Sequence, residues 1–390
     1  MLRYLTAGES HGPALTAIIE GLPAHLPIDI TLINHELWRR QQGHGRGFRM
    51  KIESDEVEFL AGLRFGKTLG SPLSFRIANR DYNNWGPRMS PTGNPPEDLN
   101  RVTKPRPGHA DLAAALKYDY SDIRDALERA SARNTATIVA VGAIARQLLA
   151  VFNIQLFSHI VQIGTEKISP EVLANLNLTE IAQRAEQSPV HTADPEAEQR
   201  MVATIDAAKE QGNTVGGIFE IVVTGVPVGL GSYAMPDRRL DGRLAGMLMS
   251  IQAIKGVEIG AGFEAARQLG SIVHDAIYYD QPRGFYRTTN GAGGIEGGIS
   301  NGESIVVRAA MKPIPTLYKP LPSVDMVTKE TYLAAIERSD ACAAPAAAVV
   351  GENAVAWVIA EVFLEKFGGD SIKEIQRNYD SYLMQVKERS

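Results

Sequence analysis

The sequence predicts a fold of mixed helices and strands, in two similar halves that each pack a helical layer against a sheet. Its 390 residues exceed the roughly 250–300 at which a single core stops growing, so we expect two domains or two fused halves. Residues 131–152 and 344–367 are rich in alanine and valine, which predicts two helices buried between layers. Charged residues precede both helices: Arg129 and Arg133 the first, Arg338 and Asp340 the second. A pocket where the helices meet would receive both charged openings.

The remaining elements follow from local patterns. Apolar runs predict strands at residues 3–7, 15–19, 57–65, 72–77, 217–228 and 304–311. Helices are predicted at residues 31–41, 240–254 and 330–336, and the first should stop at Gly43. Residues 154–212 alternate strand and polar helices, and the polar tail from Gly369 should be peripheral. Residues 81–106, rich in Pro, Asn and Gly, predict a long loop of the kind that is usually functional or disordered.

Composition excludes several classes of protein. A net charge of −5 argues against general attraction to nucleic acid or to an anionic membrane. The single cysteine, Cys342, excludes a disulfide framework within the chain and any cysteine-based zinc site. It fits a reducing compartment, and its alanine-rich surroundings predict a small buried hydrophobe rather than a reactive thiol.

No segment predicts a membrane span or a signal peptide. The N-terminal residues lack an apolar run of signal-peptide length. The most apolar stretch, residues 341–364, contains Pro345, Glu352, Asn353 and Glu361, which would be costly in lipid. We therefore expect a soluble cytoplasmic protein without membrane or nucleic-acid partners and without a bound metal.

Three segments imitate known motifs without completing them. Residues 61–68, AGLRFGKT, come close to a P-loop, but alanine replaces its first glycine and Pro72 interrupts the helix it requires, so a hairpin turn is the better interpretation. Residues 229–234, GLGSYA, lead into a Met-Pro pair rather than a dinucleotide-binding helix. GESHG at residues 8–12 has the letters of a hydrolase elbow with Ser10 as nucleophile, but a strand is predicted where the elbow needs a helix.

Two acid-free clusters of basic residues indicate anion binding. Residues 37–52 contain Arg39, Arg40, His44, Arg46, Arg49 and Lys51. Arginine dominates there on a glycine-flanked loop, and its planar fork grips carboxylate and phosphate, whereas a merely solvated face would hold more lysine. Residues 100–110 contain Lys104, Arg106 and His109 near a predicted helix start, which adds backbone donors for an anion.

His11 and His109 are the two histidines in glycine-flanked polar motifs. Because histidine titrates near neutral pH, both are candidate general acids, with a structural role as the alternative. Glycine-rich residues 290–302 would let the backbone approach a flat ligand closely.

Five segments resemble the chorismate synthase family, in order and across essentially the whole chain. They are AGESHGPALTAIIEGLP from Ala7, RPGHAD from Arg106, ERASAR from Glu128, SIQAIKGVEIGAGF from Ser250 and ERSDACAAPAAAVVGENAVA from Glu337. Three departures from the family pattern are His44 where tyrosine is common, TIVAVG in the helix after Arg133, and Asn134 where the family usually carries glutamate. We expect Asn134 to weaken the support of Arg133.

The resemblance implies an α+β fold in which long helices are sandwiched between antiparallel sheets. It also implies one domain over residues 1–390, with two related halves that join within residues 150–215, commonly assembled as a homotetramer. Members of the family convert 5-enolpyruvylshikimate 3-phosphate to chorismate and phosphate, the last common step of the shikimate pathway to aromatic amino acids. The reaction is an anti-1,4-elimination that requires reduced FMN without net redox change.

The resemblance also assigns binding residues. The phosphate and two carboxylates of the substrate are assigned to Ser10, Arg40, Arg46, Arg49, Arg106, Arg133 and Arg338. NADP is assigned to Arg40 and Arg46, with NADPH as an indirect reductant, and the sequence leaves open whether these arginines bind NADP or substrate. FMN is assigned to Arg129, Ala130, Ser131, Gln252, Ala253, Gly297, Lys312, Pro313, Ile314, Pro315, Thr316 and Arg338.

By the same resemblance three residues are catalytic. His11 is expected to protonate the departing phosphate, and His109 to donate to the reduced flavin. Asp340 is expected to assist removal of the C6 proton of the substrate. Three alternatives are weaker. A flavin reductase lacks its dinucleotide fingerprint, a bifunctional synthase that reduces its own flavin has no appended domain to support it, and a non-catalytic binding module would not need these three residues.

Overall fold

The computed structural model describes residues 1–47, 54–281, 283–334 and 340–389. Their α-helices are α1 (Ile30–Gln41), α2 (Tyr82–Trp85), α3 (Asp111–Tyr118), α4 (Arg124–Ala130), α5 (Thr135–Val151), α6 (Pro170–Ala174), α7 (Leu178–Gln187), α8 (Pro195–Glu210), α9 (Leu240–Met249), α10 (Gly270–Val273), α11 (Ala344–Phe367) and α12 (Ile372–Arg389).

The strands of the described residues are mostly short and pair antiparallel. They are β1 (Arg3–Ala7), β2 (Ala14–Glu20), β3 (Val57–Ala61), β4 (Leu63–Arg64), β5 (Lys67–Thr68), β6 (Leu73–Ala78), β7 (Gln155–Ile163), β8 (Glu166–Lys167), β9 (Gly217–Thr224), β10 (Ile254–Ile259), β11 (Ile277–Asp280), β12 (Gly284–Arg287), β13 (Ile295–Glu296), β14 (Ile299–Ser300), β15 (Ile305–Met311), β16 (Pro322–Val324) and β17 (Thr331–Leu333).

Two antiparallel sheets enclose a layer of helices. One sheet has the strand order β1-β2-β6-β3, and the other β10-β15-β9-β7-β8. Helices α5 and α11 pack along each other between the sheets, with α5 against β2 and α11 against β7 and β9. Helix α1 packs against both. This arrangement confirms the predicted α+β sandwich, while the internal similarity of two halves stays a prediction.

The two central helices approach closely because glycine stands where they touch. A Cβ atom added to Gly142 of α5 would lie 2.2 Å from the carbonyl oxygen of Asn353 on α11. Two helical stretches of the described chain, Arg124–Val151 and Ala344–Phe367, are long and apolar enough to cross a membrane, but 72% and 89% of their most apolar windows are buried inside the protein. Core helices have this character, and the predicted buried helix at residues 344–367 is confirmed.

Two predicted strands end earlier than expected, each next to a glycine with a positive φ. The strand predicted at residues 57–65 ends at Ala61, because Gly62 with φ +85° turns the chain into the β4–β5 hairpin. That hairpin confirms the interpretation of AGLRFGKT. The strand predicted at 217–228 ends before Gly225, whose φ is +75°.

Two helix predictions need correction. The helix predicted at residues 330–336 is wrong where the structure describes it, since Thr331–Leu333 forms β17 and pairs with β16. A helix of that length has too few hydrogen bonds to form without packing, so strand pairing decides. The helix predicted at 240–254 ends at Met249 because β10 begins at Ile254. The polar tail forms α12, whose only buried residue is Ile375, as expected for a peripheral element.

Candidate active site

His11 lies in the turn between β1 and β2 and is tied to α4 by one buried carboxylate. Its backbone N–H donates to Glu128 Oε2 at 2.8 Å, and its ring Nδ1 lies 3.0 Å from both carboxylate oxygens. The backbone N–H of Ser10, a residue 1% exposed, donates to the Glu128 carbonyl oxygen at 3.1 Å. Burial raises the pKa of Glu128 most strongly, but hydrogen bonds from His11 and the charge of Arg124 outweigh it and lower the pKa. The ionised carboxylate accepts the Nδ1 proton, which leaves Nε2 of His11 for chemistry.

His109 is held in the same way by the first residue of α3. Its Nδ1 lies 2.5 Å from Asp111 Oδ1, while the Nε–H of Arg106 donates to Asp111 Oδ2 at 2.8 Å. Burial raises the pKa of Asp111 most strongly, yet hydrogen bonds from His109 and Arg106 outweigh it and pull the pKa well below its usual range. The Lys312 ammonium donates to the carbonyl oxygen of Gly108 at 3.0 Å. The structure thus brings His109, Arg106 and Lys312 together.

Arg40 from α1 and Arg133 from the turn before α5 share the buried carboxylate of Asp55. Arg40 Nη2 lies 2.7 Å from Asp55 Oδ2, and Arg133 Nη1 lies 2.7 Å from Oδ1. Asn79 joins this pair to the His11 turn: it accepts the Arg133 Nε–H at 2.9 Å and donates to the carbonyl oxygens of residues 9 and 12 at 3.0 and 2.8 Å. Two guanidiniums against one carboxylate leave a net positive charge for an anion.

Arg46 and Asp340 form a second ion pair beside this cluster. Arg46 Nη1 lies 2.5 Å from Asp340 Oδ2, and the backbone N–H of Gly47 donates to Oδ1 at 2.5 Å. Burial lowers the pKa of Arg40 most strongly, and the charges of Arg133 and Arg46 lower it further against the attraction of the shared carboxylate. These three guanidiniums are therefore close enough to repel one another. Nε of Arg40 is buried with no hydrogen-bond partner among the described residues, which leaves a donor for an anionic ligand.

Two members of the first basic cluster, Arg39 and His44, pair with carboxylates other than Asp55 and Asp340. Arg39 points to a different side of α1 from Arg40, because successive helical residues point about 100° apart. Its guanidinium lies 3.2 Å from the carboxylate of Glu352, in the core. Nε2 of His44 lies 2.7 Å from Asp206 on α8.

Part of the predicted FMN set gathers at the segment of residues 312–316, which follows β15. The backbone N–H of Lys312 donates to the carbonyl oxygen of Ala253 at 2.9 Å. Ala253 has φ +69°, a conformation that is uncommon for a residue with a side chain and that often marks a functional site. The side-chain oxygen of Gln252 is buried without a hydrogen-bond partner in the part of the chain that the structure describes. Burial and, to a smaller extent, Lys255 lower the pKa of Lys312.

The rest of this segment connects the His109 loop to the start of β9. It comprises Pro313, Ile314, Pro315 and Thr316. The carbonyl oxygen of Ile314 accepts the hydroxyl of Thr214 at 2.7 Å, and a Cβ added to Gly108 would lie 3.2 Å from Cβ of Pro315. Thr316 is buried, with 7% of its surface exposed.

Arg129, at the end of α4, links the first strand to the turn before α5. Its guanidinium donates to the carbonyl oxygens of Thr6 and Gly8 at 3.0 and 3.4 Å and to Asn134 Oδ1 at 2.9 Å. Asn134 in return donates to the Arg129 carbonyl oxygen at 2.7 Å. The expectation that Asn134 weakens the support of Arg133 stays a prediction, since the described hydrogen bonds of the Arg133 guanidinium go to Asp55, Asn79 and the carbonyl oxygen of Ala78. Asn134 orients Arg129.

The remaining predicted FMN residues take separate positions. Ala130 ends α4, and Ser131 accepts the backbone N–H of Arg133 at 3.2 Å through its hydroxyl. Gly297 stands in the β13–β14 turn with φ +59°, and a Cβ added there meets nothing within 4 Å among the described atoms. Hydrogen bonds between described residues do not join Gly297 to the segment of residues 312–316, so its role stays a prediction.

Backbone contacts connect the Asp340 loop to the segment of residues 312–316. The N–H of Ala341 donates to the Gly45 carbonyl oxygen at 2.8 Å, and the N–H of Val215 donates to the Ala341 carbonyl oxygen at 2.9 Å. Val215 follows Thr214, which binds Ile314 as described above. The loops carrying Arg46, Asp340 and Lys312 are thereby fixed to one another. Two predicted substrate-binding residues lie outside the described residues: Arg49 and Arg338, the second of which was also predicted to bind FMN. Lys51 of the first basic cluster lies outside them as well.

Known proteins share this architecture and sequence. A family model described as chorismate synthase matches residues 2–364. A chorismate synthase of Geobacter metallireducens is 59% identical over 390 residues and covers 98% of both chains. One of Desulforamulus reducens is 58% identical over 388 residues and covers 100% of both.

The chain belongs to the chorismate synthase family. A solved structure described as a crystal structure of chorismate synthase has a TM-score of 0.80 and 43% identity, and the match covers 99% of this chain and 98% of that one. Family membership makes the chain an enzyme acting on a small-molecule substrate and confirms the resemblance.

The carboxylates that pair with the arginines and histidines of this site were not predicted from the sequence. Asp55 lies just beyond the acid-free stretch of residues 37–52, and Asp111 directly follows the stretch of residues 100–110. Glu128 is the first residue of ERASAR, and roles were predicted only for later residues of that segment. These carboxylates could have been predicted from their position at the border of a basic cluster, because a buried guanidinium needs a counter-ion.

Proposed function

We propose that this chain converts 5-enolpyruvylshikimate 3-phosphate to chorismate and phosphate, by an anti-1,4-elimination with reduced FMN and no net redox change. The carbon–oxygen bond to phosphate breaks, the proton leaves C6, and a new carbon–carbon double bond forms, which makes the enzyme a carbon–oxygen lyase. Family membership supports this reaction. The phosphate and two carboxylates of the substrate match a site built from arginine forks: Arg40, Arg46, Arg106 and Arg133.

The observation that carries the proposal is the anchoring of His11 on a buried carboxylate next to the arginine cluster. Glu128 accepts the Nδ1 proton, so Nε2 is the ring nitrogen from which His11 can release a proton. Asn79 contacts both the His11 turn and Arg133. We assign His11 to protonate the phosphate as it departs, since an unprotonated phosphate trianion is a poor leaving group.

His109 has the same anchoring but a different neighbourhood. Asp111 fixes its Nδ1, and the loop before it contacts Lys312 and Pro315 of the segment assigned to FMN. We assign His109 to hold a proton at Nε2, which lies 3.4 Å from Nη2 of Arg106. The two histidines therefore serve opposite partners: one the leaving group, the other the cofactor.

The residues present fit an FMN. The buried, unpartnered side-chain oxygen of Gln252 suits a ring N–H donor, and Lys312 with neighbouring Lys255 provides positive charge for a phosphate tail. Arg129, oriented by Asn134, adds a third cation. When bound, reduced FMN supplies electron density transiently and takes it back.

We assign Asp340 to assist removal of the C6 proton and Arg40 to the substrate rather than to NADP. Asp340 is held by Arg46 and by the backbone of Gly47, which fixes the direction of its carboxylate. Arg40 is only 4% exposed and shares its counter-ion with Arg133, so it suits a small enclosed anion better than a dinucleotide. NADPH is then an indirect reductant of the flavin.

Anaerobic phosphate release with reduced FMN tests the proposal. We expect release of one phosphate per substrate without stoichiometric consumption of NADPH, whereas a flavin reductase would consume NADPH and release none. His11→Ala, His109→Ala and Asp340→Asn should each lower kcat by roughly 10²–10⁴ with folding retained, as measured by circular dichroism. The matched control is His274→Ala, an exposed histidine away from these clusters, which should keep wild-type turnover. Near wild-type turnover in all three site variants would refute the assignment.

We further propose a cytoplasmic homotetramer. The single, fully buried cysteine fits a reducing compartment, and the resemblance supports the tetramer. Size-exclusion chromatography with light scattering should give four times the chain mass of 42.3 kDa, and a mass of one chain at micromolar concentration would contradict it.

A further inference from the structure

Trp85 packs against the ring of His11. It belongs to α2 in the long loop of residues 81–106, and the two ring centroids are 4.5 Å apart with an interplanar angle of 43°. On the indole, the guanidinium of Arg124 lies 4.6 Å from the ring centroid. Arg124 also pairs with Glu128 at 3.1 Å, four residues along α4. The carboxylate that holds His11 Nδ1 and the cation that holds Trp85 are thus on the same helix.

These contacts define the surroundings of the imidazole on three sides. Nδ1 faces Glu128, a ring face meets Trp85, and Nε2 points toward Asp81 Oδ2 at 3.9 Å. Two carboxylates therefore face this histidine, Glu128 from α4 and Asp81 from the loop, and Arg124 pairs with the first of them. A flat indole beside the ring restricts rotation about its Cβ–Cγ bond, which the hydrogen bond to Glu128 alone does not fix.

We propose that Trp85 is a positioning residue for His11, which aims Nε2 of the imidazole at the leaving phosphate by packing the indole against the ring. Arg124 secures the indole by a cation–π contact, so residues 82–85 dock onto α4 rather than moving freely above the site. The proposal rests on the assignment of His11 as the acid in the proposed function. The proposal assigns the loop of residues 81–106 a role in orienting the acid at the bond that breaks.

Steady-state phosphate release measures the consequence for turnover. We expect Trp85→Leu to lower kcat by about 10- to 100-fold with little change in KM, because misplacement by about 1 Å can cost that much in rate while substrate binding remains with the arginines. Trp85→Phe keeps an aromatic face and should recover most of the lost kcat. Equal losses in both variants, or a change confined to KM, would overturn the proposal.

Indole fluorescence reads the contact independently of activity, because a protonated imidazole beside an indole quenches its emission. The measurement uses a Trp38→Phe background, since Trp38 stacks on His35 at 5.4 Å and would add its own titration. Emission should change with pH in this background, and the change should vanish when either His11→Gln or Trp85→Phe is added. If His11→Gln leaves the titration unaltered, the two rings do not contact each other and the proposal fails.

The two experiments separate failure of this proposal from failure of the proposed function. If His11→Ala keeps wild-type turnover while the fluorescence titration still depends on His11, the contact exists but the acid assignment, and with it the positioning role, is refuted. If His11→Ala abolishes turnover but Trp85→Leu does not lower kcat, the proposed function stands and the role of Trp85 is refuted.

Discussion

Glu352 lies fully buried in the middle of α11, at the centre of an ionic network between the helices of the core. Its carboxylate accepts hydrogen bonds from Arg39 of α1 at 3.2 and 3.3 Å, from Arg146 of α5, and from the hydroxyl of Ser158 on β7 at 2.8 Å. Burial raises its pKa most strongly, but the charges of Arg146 and Arg39 and their hydrogen bonds outweigh burial, so the pKa is lowered. The carboxylate is ionised inside the core.

Glu352→Gln should lower the free energy of unfolding by about 3 kcal/mol. Breaking a buried ion pair by removing one partner costs about 3–5 kcal/mol, because the other charge is left without compensation. Here Glu36 still lies 2.8 Å from Arg39 and 2.9 Å from Arg146, which favours the lower end of that range. The isosteric glutamine leaves the volume of the side chain unchanged, so the loss reports the charge and the hydrogen bonds that one carboxylate oxygen accepts.

Urea denaturation at pH 7.5 and equal protein concentration provides the measurement. The matched control is Glu365→Gln on the same helix, whose carboxylate is 38% exposed and pairs with Arg243 at 2.8 Å. A pair at the surface contributes about 1 kcal/mol or less, so the control should change little. If both variants lose the same free energy, the reasoning about the buried network is wrong.

The pH dependence of the same difference gives a second check. Since the pKa of Glu352 is lowered in the fold, its contribution is complete above the unfolded value of 4.5 and is lost as pH falls below it. The difference in unfolding free energy between wild type and Glu352→Gln should therefore be constant near neutrality and shrink in acid. A difference that grows as pH falls from 5 would contradict this sign.

Two further predictions concern the same core. Gly142→Ala should lower the free energy of unfolding by about 3 kcal/mol, because its Cβ would lie 2.2 Å from a backbone oxygen of α11. The control Gly246→Ala, whose Cβ would have nothing within 4 Å, should raise the free energy of unfolding by about 0.5–1 kcal/mol. Similar values for both variants in thermal or urea unfolding would refute the close approach of the helices. His191, whose pKa burial and Arg39 lower to about 4, stays neutral in the fold while the unfolded chain takes up a proton below pH 6.5. Stability should thus fall between pH 6.5 and 4 in wild type, and less so in His191→Gln, as followed by urea denaturation across that range.

Elements with a strong local signal were predictable from sequence. Helix α11 has the predicted bounds, since a continuous apolar run begins after a turn and ends at glycine. Cys342 is fully buried, and burial raises the pKa of its thiol to about 11, as expected for an inert residue. The strand β17 was missed because its partner β16, not its own residues, decides its conformation.

For the site, the residue types were predictable but not their grouping. Arg39 and Arg40 are neighbours in sequence but point to different sides of α1, a difference that a count of basic residues does not reveal. Arg40 and Arg133 are brought together by Asp55, a contact that depends on the packing of α1 against α5. Trp85 gave no local signal at all, because only the folded loop places it on His11.

The two faces of α1 explain how the core and the site depend on each other. Arg39 locks the helix to Glu352 in α11 and, through Glu36, to Arg146 in α5, while the next residue, Arg40, enters the anion site. Arg133 lies in the turn two residues before α5, Asp340 lies four residues before α11, and Arg40 is in α1, so the network that fixes these three helices also fixes where three charged side chains of the site begin. Charged groups buried in the core are costly for stability, but here they connect α1 to α5 and α11, the two helices rich in alanine and valine. The carboxylate of Asp55 meets both of its arginines only while α1 and α5 keep their relative position, and the ion pairs of Arg39, Glu36 and Arg146 contribute to holding that position.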